Sequence, residues 1–218
     1  RKGNVLLGTQ KSLSIGTANF NQSYGQVESA SGLKEETLMG IFNKLQDFPN
    51  IGLDTSPEYG NSEESIGTFS RFKGPITTKI PNHVYSNSNK IIESVLKSLH
   101  KLNRTTFQHV LFHGVTSEFV SNSAIISRAV DQIIEKGLSK SVGLSCYSEE
   151  EVVLAKSLVP RLSVFQVPEN IVDQRLRNSD QISGMQKEGN DFYIRSIFLQ
   201  GYLLKGVSKL PQKVIDLR

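Results

Sequence analysis

The sequence contains no tryptophan and only one cysteine, Cys146. One cysteine cannot form a disulfide within the chain, and few cysteines are typical of reducing compartments, so we expect a cytoplasmic protein. No apolar run approaches the roughly 20 residues that a membrane-spanning helix needs. The apolar run that follows residues 1–4 is too short for a signal peptide. The sequence therefore predicts a globular protein that has no membrane-spanning segment.

Clusters of like charge are also missing. The chain has 25 basic and 21 acidic residues and a net charge of +4, with no run of five or more like charges. A nucleic-acid-binding surface needs clustered Lys and Arg, so no nucleic-acid partner is predicted. No spacing of His, Cys, Asp and Glu is typical of a metal site, so no metal is predicted either.

Two common nucleotide-binding motifs do not occur in the chain. It has neither GxGxxG nor GxxxxGK[ST]. A Rossmann fingerprint and a P-loop are therefore both excluded.

Short apolar runs of strand length alternate along the chain with longer runs of helical period. Such alternation predicts parallel strands that are joined by helical crossovers. A small hairpin, residues 5–8 and 13–15, is predicted to lead into a first strand that ends at residues 16–18. Six further strands are predicted over residues 51–54, 76–79, 107–113, 141–145, 162–166 and 192–195. Helices are predicted from about residues 35, 62 and 148, and over residues 90–102, 125–134 and 182–187.

Seven such strands allow either an open doubly wound sheet or a (β/α)₈ TIM barrel. A polar residue stands at or near the end of every predicted strand: Thr17, Asp54, Lys79, His113, Ser145, Gln166 and Arg195. An open sheet collects ligand-binding residues at its switch point, whereas all strand ends of a barrel converge on one mouth. The pattern favours an α/β fold in which residues 1–218 form a single barrel domain with about seven of the eight units.

Seven strands alone would leave an open barrel with two unpaired edges. We therefore expect the native polypeptide to continue by roughly 60–100 residues, the remainder of a typical barrel. The alternative is a protein that closes its barrel through a partner.

Four of these residues form an acid–base set: Asp54, Tyr59, Lys79 and His113. Tyr59 follows Asp54 by five residues, on the loop after the second strand. A phenol has a pKa of about 10, which makes it a weak acid near neutral pH. A nearby ammonium lowers that pKa, which fits Lys79, and Asp54 can hold Lys79 in place. His113 can orient a carbonyl oxygen, so the set suits carbonyl reduction.

The ordered motifs resemble the aldo-keto reductase superfamily, in its microbial branch, from about residue 13 to residue 206. The motifs are GTA at 16–18, DTSPEYG at 54–60, TK at 78–79, His113, VGLS at 142–145, FQ at 165–166 and RSIFLQG at 195–201. The resemblance implies a (β/α)₈ barrel that uses a nicotinamide cofactor, usually NADPH, with NADH possible. It also implies a small-molecule aldehyde or ketone as substrate.

The resemblance further implies roles for individual residues. The catalytic tetrad would be Asp54, Tyr59, Lys79 and His113, with Tyr59 as general acid. Ser145 and Gln166 would hold the nicotinamide carboxamide, and residues 195–200 would line the nicotinamide and pyrophosphate. The full set expected to bind the cofactor is Gly16, Thr17, Ala18, Ser145, Gln166, Arg195, Ser196, Phe198 and Gln200.

The sequence departs from the family pattern in three places. Cys146 stands where many members have Asn, and Arg195 stands where many have an aromatic residue. The eighth strand and the last helices, which carry residues that bind the adenosine 2′-phosphate, are not in this sequence.

Two other functions stay open at this stage. One is a non-catalytic relative, a cofactor-binding regulatory or partner subunit. The other is an unrelated barrel enzyme that acts on a phosphorylated substrate. The remaining histidines, His83, His100 and His109, are predicted to be surface or packing residues, and the sequence leaves the oligomeric state open.

Overall fold

Seven parallel strands form one continuous sheet in the computed structural model, which describes residues 12–20, 33–69 and 72–204. Each strand pairs with its neighbours in sequence, so the order is β1 to β7 without reversal. The strands are β1 (Leu13–Gly16), β2 (Ile51–Asp54), β3 (Ile76–Ile80), β4 (Phe107–Phe112), β5 (Ser139–Ser145), β6 (Val164–Pro168) and β7 (Asp191–Arg195). A sheet without a reversal has no switch point, which excludes the doubly wound alternative. The curled sheet and its crossover helices confirm the predicted fold, seven units of a (β/α)₈ barrel.

Helices cover the outer face of the curled sheet. They are α1 (Glu35–Leu45), α2 (Ser62–Thr68), α3 (Ser88–Lys101), α4 (Ser117–Ser121), α5 (Ser123–Glu135), α6 (Glu149–Leu158) and α7 (Asp180–Lys187). Two 3₁₀ segments, Asn82–Val84 and Leu199–Leu204, follow β3 and β7.

The longest helix, α3, shows how the sequence specifies this packing. The side chain of Asn87 caps its first turn by accepting hydrogen bonds from the backbone N–H groups of Asn89 and Lys90. Ile91 and Val95 lie one turn apart on the buried face. Leu96, which fits the same apolar period in the sequence, is instead 48% exposed.

Strands β5 and β6 approach each other closely at Gly143. A Cβ atom at this position would lie 1.7 Å from the carbonyl oxygen of Val164. Only glycine fits there. The close approach lies on the two strands that carry Ser145 and Gln166, and those two residues are direct partners.

The structure differs locally from the prediction in two places. Residues 13–15, predicted as a hairpin arm, belong to the first barrel strand and pair in parallel with β2. The other arm, residues 5–8, lies outside the described residues. Helix α4 was not predicted, because its five residues are too few to show a helical period.

Candidate active site

The carboxyl ends of β2 and β3 bring two opposite charges into contact. The ammonium of Lys79 donates to the Asp54 carboxylate at 2.7 Å and to the carbonyl oxygen of Thr55 at 3.1 Å. The Lys79 side chain is 2% exposed and that of Asp54 is 18% exposed. Burial by itself lowers the pKa of Lys79, but the Asp54 carboxylate and the Tyr59 side chain raise it by more. The pKa of Lys79 therefore lies above its ordinary value, and the side chain stays charged.

Tyr59 completes this contact from the loop after β2. The Lys79 ammonium lies 5.0 Å from the centroid of its ring and is hydrogen-bonded to its side chain. The loop is held by two bonds to Ser56, whose carbonyl oxygen accepts from Tyr59 N–H and whose hydroxyl accepts from Glu58 N–H. Gly60 then takes a left-handed conformation, with φ of 58°, before α2 begins. The structure thus brings together Asp54, Tyr59 and Lys79, as their strand-end positions predict.

His113 follows the last residue of β4. Its backbone N–H donates to the Tyr85 hydroxyl at 2.6 Å and to the carbonyl oxygen of Ile80 at 3.2 Å. Burial raises the pKa of Tyr85, so its hydroxyl stays protonated and can itself donate to Ile80. The Nδ1 atom of the His113 ring lies 2.5 Å from a carboxylate oxygen of Glu58. His113 is therefore linked to the loop that carries Tyr59.

Ser145 and Gln166 occupy adjacent strand positions on β5 and β6. The Ser145 hydroxyl donates to the Gln166 side-chain oxygen at 3.4 Å, and the two residues are 5% and 6% exposed. Because Gln166 accepts through its oxygen, its amide N–H groups remain as donors. A hydroxyl beside an amide can recognise a carboxamide, which needs both a donor and an acceptor.

Cys146 and Arg195, the two residues that differ from the family pattern, contact each other. Arg195 donates from Nη2 to the carbonyl oxygen of Cys146 at 3.3 Å, and its guanidinium lies 4.2 Å from the centroid of the Tyr147 ring. Burial raises the pKa of the Cys146 thiol above its ordinary range, which makes it a packed, uncharged group. The Arg195 side chain therefore lies across the end of β5.

The segment after β7 has an unusual backbone. Ser196, Leu199 and Gln200 have φ values of 61°, 47° and 55°. Non-glycine residues adopt the left-handed region at a cost of about 1–2 kcal/mol each. Phe198, in the same segment, is 56% exposed.

At the other edge of the sheet, the GTA motif ends β1. Thr17 is fully buried, and its N–H donates to the backbone oxygen of Asp54 at 2.9 Å. Its hydroxyl oxygen has no hydrogen-bond partner among the described residues. Gly16 and Ala18 flank it, and a Cβ atom at Gly16 would meet nothing within 4 Å. This end of β1 thus offers open space beside an unpaired hydroxyl.

Sequence reasoning missed Glu63, which supports the strand that carries Lys79. Glu63 is fully buried, and its carboxylate accepts from the Thr78 hydroxyl at 2.8 Å and from the Ser98 hydroxyl at 3.1 Å. Burial raises the pKa of Glu63, and the two hydrogen bonds partly offset that rise. The residue ties α2 to β3 and α3. Its position in the first turn of α2 was the available signal, but an acid there is also common on exposed helices.

Comparison with known proteins identifies the family. The model of the aldo/keto reductase family matches residues 12–215. The chain belongs to the aldo/keto reductase family. This confirms the resemblance seen in the sequence, and it makes the protein an oxidoreductase of that family. No curated protein sequence matches the chain.

Solved structures of family members share the fold. The chain superimposes on a holo aldo-keto reductase from Bacillus halodurans with a TM-score of 0.72 and 18% identity, over 92% of this chain and 66% of the other. An aldo/keto reductase from Klebsiella pneumoniae in complex with NADP and acetate superimposes with a TM-score of 0.69 and 14% identity, over 89% of this chain and 67% of the other. A glycerol dehydrogenase from Gluconobacter oxydans superimposes with a TM-score of 0.67 and 17% identity, over 92% of this chain and 65% of the other. The chain thus spans about two thirds of the length of each.

Two kinds of feature are absent from the described residues. Residues 12–20, 33–69 and 72–204 contain no helix that is long and apolar enough to cross a membrane. The same residues contain no group of three or more His, Cys, Asp and Glu side chains arranged to hold a metal ion.

Proposed function

We propose that this protein reduces an aldehyde or ketone to an alcohol with NADPH, or with NADH, and that Tyr59 is the general acid. The observation that carries the proposal is the position of the Lys79 ammonium between the Asp54 carboxylate and the Tyr59 phenol. A buried ammonium would be costly without a partner, and this one has a carboxylate at 2.7 Å. The arrangement keeps a cation beside the one phenol of the acid–base set.

The four residues then have distinct tasks. Tyr59 donates its hydroxyl proton to the carbonyl oxygen as hydride reaches the carbonyl carbon. Lys79 stabilises the phenolate that remains, and Asp54 keeps Lys79 charged and in place. His113 donates a hydrogen bond from its ring to the same oxygen and orients it.

The described residues fit a nicotinamide cofactor. The Ser145 hydroxyl and the Gln166 amide present the donors and acceptor that a carboxamide requires. The Thr17 hydroxyl and the Arg195 Nε atom are buried without a partner in the part of the chain that the structure describes, and both lie at strand ends. When bound, the reduced nicotinamide supplies the hydride. We propose that Gly16 and Ala18, together with Ser196, Phe198 and Gln200, complete the binding surface. NADP in the Klebsiella pneumoniae relative supports this choice.

Steady-state reduction of a reactive aldehyde such as a nitrobenzaldehyde tests the proposal, with NADPH consumption as the readout. Tyr59→Phe removes one oxygen and keeps the ring, so kcat should fall by about 10²–10⁴-fold while cofactor affinity changes little. Tyr193→Phe is the matched control, since it removes the same atom from a tyrosine inside the barrel and should change kcat by less than about 3-fold.

Three outcomes would contradict the proposal. A Tyr59→Phe variant with wild-type kcat would remove Tyr59 from the mechanism. A folded protein that binds NADPH but reduces no carbonyl compound would favour the alternative, a non-catalytic cofactor-binding relative. A folded protein that binds neither NADPH nor NADH would reject both the proposed function and this alternative.

A further inference from the structure

A carboxylate outside the acid–base set contacts one of its members. Glu58 immediately precedes Tyr59, and its Oε2 atom lies 2.5 Å from Nδ1 of His113, 55 residues later in the chain. Glu58 is on the loop after β2, and His113 follows β4. Because β3 lies between these strands, the contact crosses the carboxyl end of the strand that carries Lys79.

Among the described residues, this contact is the hydrogen bond that the His113 ring makes. The two hydrogen bonds to Tyr85 and Ile80 hold only the backbone N–H of His113. They leave the side chain free to turn about its own bonds. The backbone of Glu58 is held in the loop, since its N–H donates to the hydroxyl of Ser56, a fully buried residue. The ring is therefore tied to the Tyr59 loop by Glu58.

Stability does not explain the pair. The side chains of His113 and Glu58 are 30% and 48% exposed. Ion pairs this exposed contribute at most about 1 kcal/mol. The contact between Glu58 and His113 lies at the mouth of the barrel, beside Tyr59. It therefore bears on the chemistry of the His113 ring more than on stability.

We propose that Glu58 is a positioning residue that fixes the orientation and the protonated nitrogen of His113, an inference that rests on the proposed function. An ionised carboxylate only accepts hydrogen bonds, so the proton must be on Nδ1. Nε2 is then the nitrogen that remains for a substrate oxygen. When the ring carries a proton on both nitrogens, Nε2 donates a hydrogen bond to the carbonyl oxygen, and the proton that is transferred still comes from Tyr59. A ring protonated on Nδ1 alone offers only a lone pair at Nε2, so the role of His113 as a hydrogen-bond donor requires both protons.

Three substitutions separate this role from a general effect of charge or folding. Glu58→Ala removes the acceptor. Glu58→Gln keeps the length and a carbonyl oxygen that can accept from Nδ1, but it removes the charge. Glu64→Ala is the matched control, because Glu64 is a similarly exposed carboxylate (46%) on α2 that pairs with Lys101.

The first measurement is the tautomer of His113, from long-range ¹H–¹⁵N NMR spectra of the protein without substrate. The chain has four histidines, and the signals that disappear in His113→Gln assign the ring. We expect a protonated Nδ1 in wild type, Glu58→Gln and Glu64→Ala, and a ring that keeps its proton on Nε2 alone in Glu58→Ala. A wild-type ring protonated on Nε2 alone, or an unchanged spectrum in Glu58→Ala, would overturn the proposal.

The second measurement is kcat/KM for a carbonyl probe, with the dissociation constant for NADPH determined in parallel. Loss of a charge-assisted hydrogen bond that orients the ring should lower kcat/KM in Glu58→Ala by about 10- to 100-fold. Glu58→Gln should lose less than Glu58→Ala, and NADPH affinity should stay constant in both. Equal losses in both variants would reject the positioning role, as would no loss in either. If the protein has no reductase activity at all, the proposed function is wrong. The NMR spectra would still decide whether Glu58 fixes the ring.

Discussion

Tyr193 and His109 are hydrogen-bonded inside the barrel, with 2.8 Å between the Tyr193 hydroxyl oxygen and Nε2 of His109. Nδ1 of the same ring lies 2.6 Å from the Ser141 hydroxyl, and the Ser12 hydroxyl donates to Tyr193 at 3.3 Å. All these bonds are satisfied together when the ring is neutral: Tyr193 donates to Nε2, and Nδ1 donates to Ser141. His109, predicted as a surface or packing residue, is a buried packing residue with polar partners.

This network predicts loss of stability in acid. Burial, and to a lesser extent the charge of Lys140, lowers the pKa of His109 from 6.5 to about 4. The unfolded chain therefore binds more protons than the folded protein between these values. The neutral His109 therefore contributes on the order of 3 kcal/mol to the free energy of unfolding above pH 6.5. This contribution is lost as the pH falls to about 4.

Urea unfolding at several pH values between 4 and 7 checks this expectation. His109→Gln cannot take up the proton, so its stability should depend less on pH over the same window. Parallel pH dependences in wild type and His109→Gln would rule out His109 as the source.

A second prediction concerns the contact between β5 and β6. Gly143→Ala would place a Cβ atom 1.7 Å from the Val164 carbonyl oxygen, so the two strands would have to separate. We expect a loss of about 3 kcal/mol or more in the free energy of unfolding. The control is Gly40→Ala in α1, where a Cβ atom meets nothing within 4 Å. That change should stabilise the protein by about 0.5–1 kcal/mol. Similar values for both variants would contradict the close approach.

The fold could be predicted because it depends on repeated local features. Strand–helix alternation and polar residues at successive strand ends, such as Asp54 and Lys79, do not require knowledge of any particular tertiary contact. The contact between these two residues follows from the same rule, since the carboxyl ends of neighbouring strands in a barrel meet at one mouth.

Residues whose environment is set by distant elements could not be predicted. In the sequence, Glu63 looks like an ordinary acidic residue in the first turn of a helix. It is buried in the structure, where hydroxyls from β3 and α3 donate to its carboxylate. Leu96 fits the apolar period of α3 but faces solvent, because periodicity does not show where a helix touches the sheet. Tyr85 holds His113 from a segment between β3 and α3 that has no motif of its own.

The ion pair between Asp54 and Lys79 leads to a third prediction, on stability. Lys79→Met leaves the Asp54 carboxylate without its cation, which should cost about 2–3 kcal/mol, somewhat less than for a fully buried pair because Asp54 is 18% exposed. Adding Asp54→Asn removes the unpaired charge and should recover part of that loss. A double-mutant cycle measured by urea unfolding gives the coupling. A double variant less stable than Lys79→Met alone would mean that the pair does not account for the loss.

The last prediction tests the proposed carboxamide contact. Gln166→Ala removes the amide that adjoins Ser145, so NADPH should bind about 10-fold more weakly. Quenching of tyrosine fluorescence reports binding, since the chain has six tyrosines and no tryptophan. Gln132→Ala on α5, a helix of the outer layer, is the control and should leave affinity unchanged. If Gln166→Ala binds NADPH as tightly as wild type, Gln166 does not hold the cofactor.

The sequential strand order also has a consequence for synthesis on the ribosome. Since β2 pairs with β1, β3 with β2, and so on to β7, every strand finds its partner in the segment that was made just before it. The emerging chain can therefore extend its sheet one unit at a time, without waiting for distant segments. At each stage the newest strand presents unpaired N–H and C=O groups, so the vulnerable edge moves along the chain as translation proceeds.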